Sequence, residues 1–393
     1  MKDLNKLPSG FFCSGISAGI KPNNVLDMAL ITSDSLASAA GVFTTNQVCA
    51  APVKLCQKHL AEPYSKAIII NSGIANACTG IDGMNSAMEM AEITSKKIET
   101  SEENILVCST GKIGPQLPME KINKGINSLV DSLSTKNLEL MSKSIMTTDT
   151  HPKVVSKVIT IDDKEITITG VAKGAGMIEP NMATMLAFIL TDAVIQPSNL
   201  QSCLTGAVNH SFNRITIDGD QSTNDTVLML ANGNANNSDI LPNSPAWSIF
   251  TDAVNKVCFE LAMMIVHDGE GADRFITLVV EEALSDADAD IAARSVANSL
   301  LNKTAWAGSY PDWGRIMDAI GYSSAKISSE KVNIFYGDTQ AVEAGCQYDV
   351  DHKTLVEAVS EKELFIRVQL GLGDGKATVY TCNCTERYVR INY

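Results

Sequence analysis

Residues 173–187, K-G-A-G-M-I-E-P-N-M-A-T-M-L-A, force the chain through an abrupt change of backbone habit. Gly174 and Gly176 permit tight geometry, and Pro180 fixes φ and bars an ordinary helix start. The small Ala183 precedes Thr184, and the apolar run Met185 to Leu190 then has the length of a buried strand. A hydroxyl at the head of such a strand, behind a constrained loop, can attack the carbonyl just before it. This N-to-O acyl shift leaves an ester on Thr184, and hydrolysis frees Thr184 as a new N-terminus. The residue then holds a nucleophile and, in its own α-amine, a general base. A Gly-rich turn feeding a core strand, with Thr184 an ordinary satisfied hydroxyl, accounts for the same residues. On this stretch alone both readings stand.

At 393 residues, 45% of them hydrophobic and 19% charged, the chain can bury a large core as one domain or two lobes. Its formal charge of −14 argues against nucleic acid as a partner, because phosphate binding needs clustered cations. The N-terminus lacks an apolar signal core, and no apolar run approaches the roughly 18 residues that span a bilayer. The ten cysteines are scattered without a C-x-x-C pair, which reads as reduced core residues in a cytoplasmic protein with no zinc site. His59, His151, His210, His267 and His352 show no metal-ligand spacing. The run from Asp218 to Thr226, D-G-D-Q-S-T-N-D-T, superficially suggests a calcium loop. It fails, with Thr223 at the sixth position where Gly is needed and Met229 at the twelfth where Glu is needed.

Ala67 to Ile70 and Ile105 to Val107 read as short buried strands, each ending in a small-residue loop, Asn71-Ser72-Gly73 and Ser109-Thr110-Gly111. Alternation from Val154 to Gly170 around Asp162-Asp163-Lys164 predicts a hairpin. Helices are expected over Ser86 to Thr100, Leu200 to Asn213, Trp247 to Met264 and Asp288 to Leu301. Strands are expected over Ile276 to Glu281, Leu364 to Leu370 and Lys376 to Cys382. This mixture predicts an α/β protein with mixed or antiparallel sheets rather than a doubly wound parallel fold.

Several groups have the chemistry of an acyl-transfer site. Thr110 and Gly111 offer a hydroxyl and an unhindered N–H for an oxyanion, or simply end a strand. Lys173, Thr147 and Glu270 offer a cation, a hydroxyl and an anion for an amino-acid substrate. The plainer alternatives are a solvated lysine, a turn-capping threonine and an exposed loop acid.

Motifs in a fixed order connect these pieces. They are A-G-I-K-P (Ala18 to Pro22), A-S-A-A-G-V-F-T-T-N-Q-V-C-A-A-P (Ala37 to Pro52), N-S-G-I-A-N-A-C-T-G (Asn71 to Gly80), S-T-G-K-I-G (Ser109 to Gly114) and M-T-T-D-T-H-P-K (Met146 to Lys153). After the threonine come I-T-I-D-G-D-Q-S-T-N-D-T (Ile215 to Thr226), D-G-E-G-A (Asp268 to Ala272) and P-D-W-G-R-I (Pro311 to Ile316). Nearly end to end the chain resembles the ornithine acetyltransferase family, also called glutamate N-acetyltransferase. The resemblance implies self-cleavage between Ala183 and Thr184, giving an alpha chain, 1–183, and a beta chain, 184–393, in one intertwined catalytic unit. It implies a layered αββα architecture loosely shared with N-terminal-nucleophile hydrolases, and a heterotetramer of two alpha and two beta chains. It maps the oxyanion pair onto Thr110 and Gly111, and the substrate-binding set onto Thr147, Lys173, Thr184, Glu270 and Asn392. The implied reaction carries acetyl from N-acetylornithine to glutamate in arginine biosynthesis, without a cofactor; acetyl-CoA is left open as a second donor. A self-cleaving aminopeptidase or amidohydrolase, or a non-catalytic relative, is the alternative. Two positions depart from the family pattern: Ile74 stands where the family has Asn, and no residue matches a terminal Thr beyond Asn392.

Overall fold

The computed structural model describes residues 5–179 and 185–393. Ala183 and Thr184, with the proposed cleavage point, lie outside the described residues. The chain divides into two compact units: residues 1–174, 180–213 and 221–265 form the first, and residues 175–179, 214–220 and 266–393 the second.

The first unit contains β1 (Phe11–Ile16), β2 (Met28–Phe43), α1 (Ala51–His59), β3 (Tyr64–Ile74), α2 (Gly80–Lys97), β4 (Ile105–Lys112), α3 (Met119–Asp131) and α4 (Leu138–Ser144). It continues with β5 (Lys153–Ile161), β6 (Lys164–Lys173), β7 (Leu186–Thr191), α5 (Pro197–His210), β8 (Thr226–Ala231) and most of α6 (Pro245–His267). The strands make one sheet in the order β4-β3-β2-β8-β7-β6-β5, with β1 also paired to β2. β3/β4 and β7/β8 are parallel and the other pairs antiparallel, so the mixed sheet expected from the sequence is present.

The 16-residue β2 decides the shape of this unit. Its first half, Met28 to Thr32, pairs with β3, and its second half, Ser38 to Phe43, pairs with β8, with a register shift between Thr32 and Ala37. The sheet therefore has two limbs that share one core: Ile68, Ile70, Leu106 and Cys108 from one limb cluster with Val171, Phe188, Leu190 and Leu228 from the other. On the opposite face of the first limb, Leu30, Ile69 and Val107 pack with Met90 of α2 and Ile126 of α3. On the second limb, Gly170 lies so close to Val257 and Leu261 of α6 that a Cβ would approach both at 2.6 Å. Helix, sheet, sheet and helix thus stack in the predicted order. Period-2 alternation is what makes this work, because each strand supplies one core on its odd residues and another on its even ones.

The second unit is built on β9 (Phe275–Ala283), α7 (Asp286–Asn298), α8 (Leu300–Ala307), α9 (Trp313–Tyr322), β10 (Asn333–Tyr336), β11 (Thr339–Glu343), β12 (Cys346–Gln347), α10 (His352–Val359), β13 (Glu363–Gln369), β14 (Gly375–Cys382) and α11 (Glu386–Ile391). Its sheet runs β12-β11-β10-β13-β9-β14, parallel only at β13/β9. Ala289, Ala292, Ala293 and Val296 of α7 join Ile316 of α9 and Val359 of α10 over Leu278, Ile334 and Ile366.

Four expectations need correction. Asn71-Ser72-Gly73 and Ser109-Thr110-Gly111 are not loops; they continue β3 and β4, because they pair with each other residue for residue. Lys173 is not in the Gly-rich loop but is the last residue of β6. The helix expected over Asp288 to Leu301 breaks at Ser299, whose extended backbone and side chain, accepting from the Asn302 N–H, start a new helix. Six cysteines are buried, but Cys78 and Cys346 are exposed. Among the described residues, no helix is long and apolar enough to cross a membrane.

Candidate active site

Thr110 and Lys173 stand on strands with four others between them in sheet order, yet the Lys173 ammonium donates to the Thr110 hydroxyl at 3.3 Å. Folding of the sheet explains this. Thr110 follows Leu106 and Cys108 along one face of β4, and Lys173 follows Val171 along one face of β6, so both extend the core between the limbs. Both are buried, at 5% and 3% exposure, which excludes the solvated-lysine reading. A hydroxyl that accepts from an ammonium keeps its own proton to donate elsewhere, as an oxyanion donor must. Gly111 beside it is exposed, with φ of +127°, and a Cβ there would meet the Gly73 backbone at 2.3 Å, so only glycine fits. On its other side Lys173 pairs in register with Leu186, two residues beyond Thr184.

Asp149 holds this corner together. Its carboxylate accepts the N–H groups of Thr147 (2.9 Å) and Gly174 (2.7 Å) and the ammonium of Lys153 (2.8 Å). Burial alone would push its carboxyl up, but Lys173 and Lys153 outweigh burial and hold it well below the usual carboxylate range. Thr147 is half-buried and lines a cavity with Lys21 and Asp149. It is also turn-bound through its N–H, which donates to Asp149.

Asp225, just before β8, receives the Met185 N–H at 2.6 Å, anchoring the residue that follows Thr184. Its second oxygen is buried without a hydrogen-bond partner among the described residues. Burial pushes this carboxyl well above its ordinary value, against the opposing pull of the Met185 N–H and Lys173. Behind Thr110 a polar scaffold fixes the strand ends: Asn224 donates to the carbonyls of Ser109 (2.8 Å) and Ala75 (2.6 Å), and Ser109 donates to Asn71 (2.6 Å). Asn71 in turn donates to the Ile74 carbonyl at 2.8 Å, so the departure at Ile74 leaves this contact to the main chain.

In the second unit, Glu270 is 8% exposed, not the exposed loop acid of the plainer reading. Its carboxylate accepts from Asn392 at 2.6 Å, and its N–H donates to the Ala175 carbonyl at 2.8 Å. A Cβ on Gly176 would come within 2.3 Å of the Glu270 carboxyl, so this glycine makes room for the acid. Gly271, φ +69°, lets α11 approach, and Thr385 donates to its carbonyl at 2.6 Å, seating the helix that delivers Asn392. Asp218 accepts from the N–H groups of Met177 (2.6 Å) and Ile178 (2.8 Å), which makes its loop a clamp on the Gly-rich segment. His267 stacks on Phe275 at 4.1 Å between ring centres.

Nothing in the local sequence distinguishes Asp149, Asp225 and Lys21, although each lies inside or beside one of the ordered motifs. Acidic residues flanked by Thr and Asn look like turn formers, and nothing local reveals that their partners are distant in the chain.

The ArgJ family model matches residues 12–393. The Arginine biosynthesis bifunctional protein ArgJ of Geobacter sulfurreducens is 46% identical over 384 residues, covering 98% of this chain and 98% of that protein. Its namesake from Caldanaerobacter subterraneus is 44% identical over 391 residues, covering 98% of this chain and 97% of that one. A crystal structure of the ArgJ protein from Bacillus halodurans matches with a TM-score of 0.51 at 38% identity, covering 53% of this chain and 99% of that chain. The motif resemblance is therefore the chain's actual lineage: it belongs to the ArgJ family, and is an acetyltransferase of that family.

Proposed function

We propose that this enzyme cleaves itself between Ala183 and Thr184 and then carries acetyl from N2-acetyl-L-ornithine to L-glutamate through an ester on Thr184. The observation that carries this reading is the line from Thr110 through Lys173 to Leu186. It sets a buried hydroxyl and a cation beside the strand that Thr184 leads into. The anchoring of Met185 by Asp225 supports it. So does the length of the Bacillus halodurans chain, about half that of this one, as expected of a relative divided near its middle.

In the proposed cycle the Thr184 hydroxyl attacks the acetyl carbonyl while its α-amine, with an unperturbed pKa of about 7.7–8.0, takes the proton. Thr110 O–H and Gly111 N–H donate to the oxyanion, which collapses to the acetyl ester as ornithine leaves with that proton. The glutamate amine then attacks the ester by the reverse path, restoring the Thr184 hydroxyl. Glu270 and Asn392 are the proposed holders of substrate polar groups, with Lys173 and Thr147. If water were the acceptor, the enzyme would be an amidohydrolase.

Intact mass and product analysis test the reading together. Wild type should give pieces of 183 and 210 residues and should transfer acetyl to glutamate faster than it releases acetate (393 − 183 = 210). Thr184→Ala should give one uncut chain with no transfer. An active wild-type enzyme of uncut mass would sink the proposal, and acetate as the main product would favour the hydrolase. Replacing N-acetylornithine with acetyl-CoA tests the second donor.

A further inference from the structure

A cavity of about 410 Å³ in the first unit is walled by Val25, Leu26, Met146 and Pro152, with the Thr147 hydroxyl residue on its lining. Three charged side chains besides line it: Lys21, Lys143 and Asp149. Two are already matched. Lys143 pairs with Glu139 at 2.5 Å, and Asp149 is taken up by Lys153, Gly174 and Thr147. Lys21 differs. Its ammonium donates to two neutral acceptors, the carbonyls of Leu26 (3.1 Å) and Met146 (2.6 Å). Asp27, which attracts the ammonium more strongly than Asp149 does, spends its carboxylate on the N–H groups of Ala18 (2.6 Å), Ile20 (2.6 Å) and Lys21 (2.9 Å). An ammonium has three donors, and two of these are used among the described residues.

A half-buried ammonium with neutral acceptors calls for an anion, since burying a charge is costly until it is paired. Apolar walls beside the Lys21 cation and the Thr147 hydroxyl suit an aliphatic chain ending in a carboxylate.

We propose that Lys21 binds a carboxylate of the amino-acid substrates in this cavity, with Thr147 as its hydroxyl partner. The proposal deepens the acetyl-transfer reading and takes its ligand class from it. Burial lowers the Lys21 amine to about 8; Asp27 and Asp149 oppose that shift and Lys173 adds to it. The cation is therefore lost as pH rises through 8, and carboxylate affinity should fall with it.

Calorimetric titration of glutamate and N-acetylornithine into wild type, Lys21→Gln and Lys21→Arg tests this. Gln keeps a donor for one main-chain carbonyl but removes the charge, and Arg keeps the charge. Lys21→Gln should weaken glutamate binding at least about 10-fold, the scale of a lost charged hydrogen bond, and Lys21→Arg should restore most of it. A matching loss for N-acetylornithine identifies the α-carboxylate, and a loss confined to glutamate identifies its side-chain carboxylate. Glutamate affinity of Lys21→Gln within twofold of wild type would overturn the proposal. Should the Gln variant fail to fold, Lys21→Met, which also removes the charge, takes its place under the same criterion. Glutamate bound in a Lys21-dependent way without acetyl transfer would instead sink the transfer reading and leave this one standing.

Discussion

The candidate groups of the two units are held by different physics. In the first unit, Thr110 and Lys173 are strand residues inside a shared core, and their supports are buried ionic contacts. The Asp149–Lys153 pair at 2.8 Å is fully buried on both sides. In the second unit, Glu270 sits on a loop and Asn392 on the end of a short, exposed helix, joined by one hydrogen bond and by glycines that clear space. A buried charge network cannot lose one member without stranding the others, whereas a loop and a terminal helix adjust around a loss. Damage in the first unit should therefore spread to stability, and damage in the second should stay with the ligand.

The largest effect should come from Asp149→Ala, which strands Lys153 and frees Thr147 and Gly174. Breaking a buried ion pair costs about 3–5 kcal/mol, read as a drop in urea midpoint at neutral pH. The pH dependence gives a second check. The folded Asp149 carboxyl is depressed, so its stabilisation is present above the unfolded value, about 3.9, and fades as pH falls below it. The variant should lose part of the acid slope in that window. Unchanged stability would erase the contrast between the units.

Next in size is Thr110→Ala, which should lower kcat roughly 10²–10³-fold with little change in KM, because an oxyanion donor acts mainly in the transition state. A rise in KM alone would move Thr110 from the oxyanion to the substrate. Smaller still is Glu270→Gln, which keeps the shape and removes the charge facing Asn392. It should lower kcat/KM by roughly 10- to 150-fold through KM, with the urea midpoint unmoved. A midpoint shift as large as that of Asp149→Ala would show that the second unit is locked as tightly as the first.

Legibility in the sequence followed the range of the interaction. The Val154 to Gly170 hairpin, the strands at Ala67, Ile105 and Ile276, and the long helix beginning near Trp247 rest on local alternation and turns, and the structure has them. The strands running on through Asn71–Gly73 and Ser109–Gly111 depend on pairing with residues far along the chain; the break at Ser299 is local, a cap on the Asn302 N–H that the apolar periodicity runs straight through.

The residues alone determined the family, through motifs in one order, and the types of group needed for acyl transfer. Only the tertiary structure decided that Lys173 is buried, that it reaches Thr110 across 63 positions of sequence, and that Asp149 and Asp225 tie down the flanks of the Gly-rich segment. The reason is physical: alternation records which face a residue takes, but not that β2 bends the sheet so that two faces meet. That meeting turns a loop lysine on paper into a buried cation beside a hydroxyl.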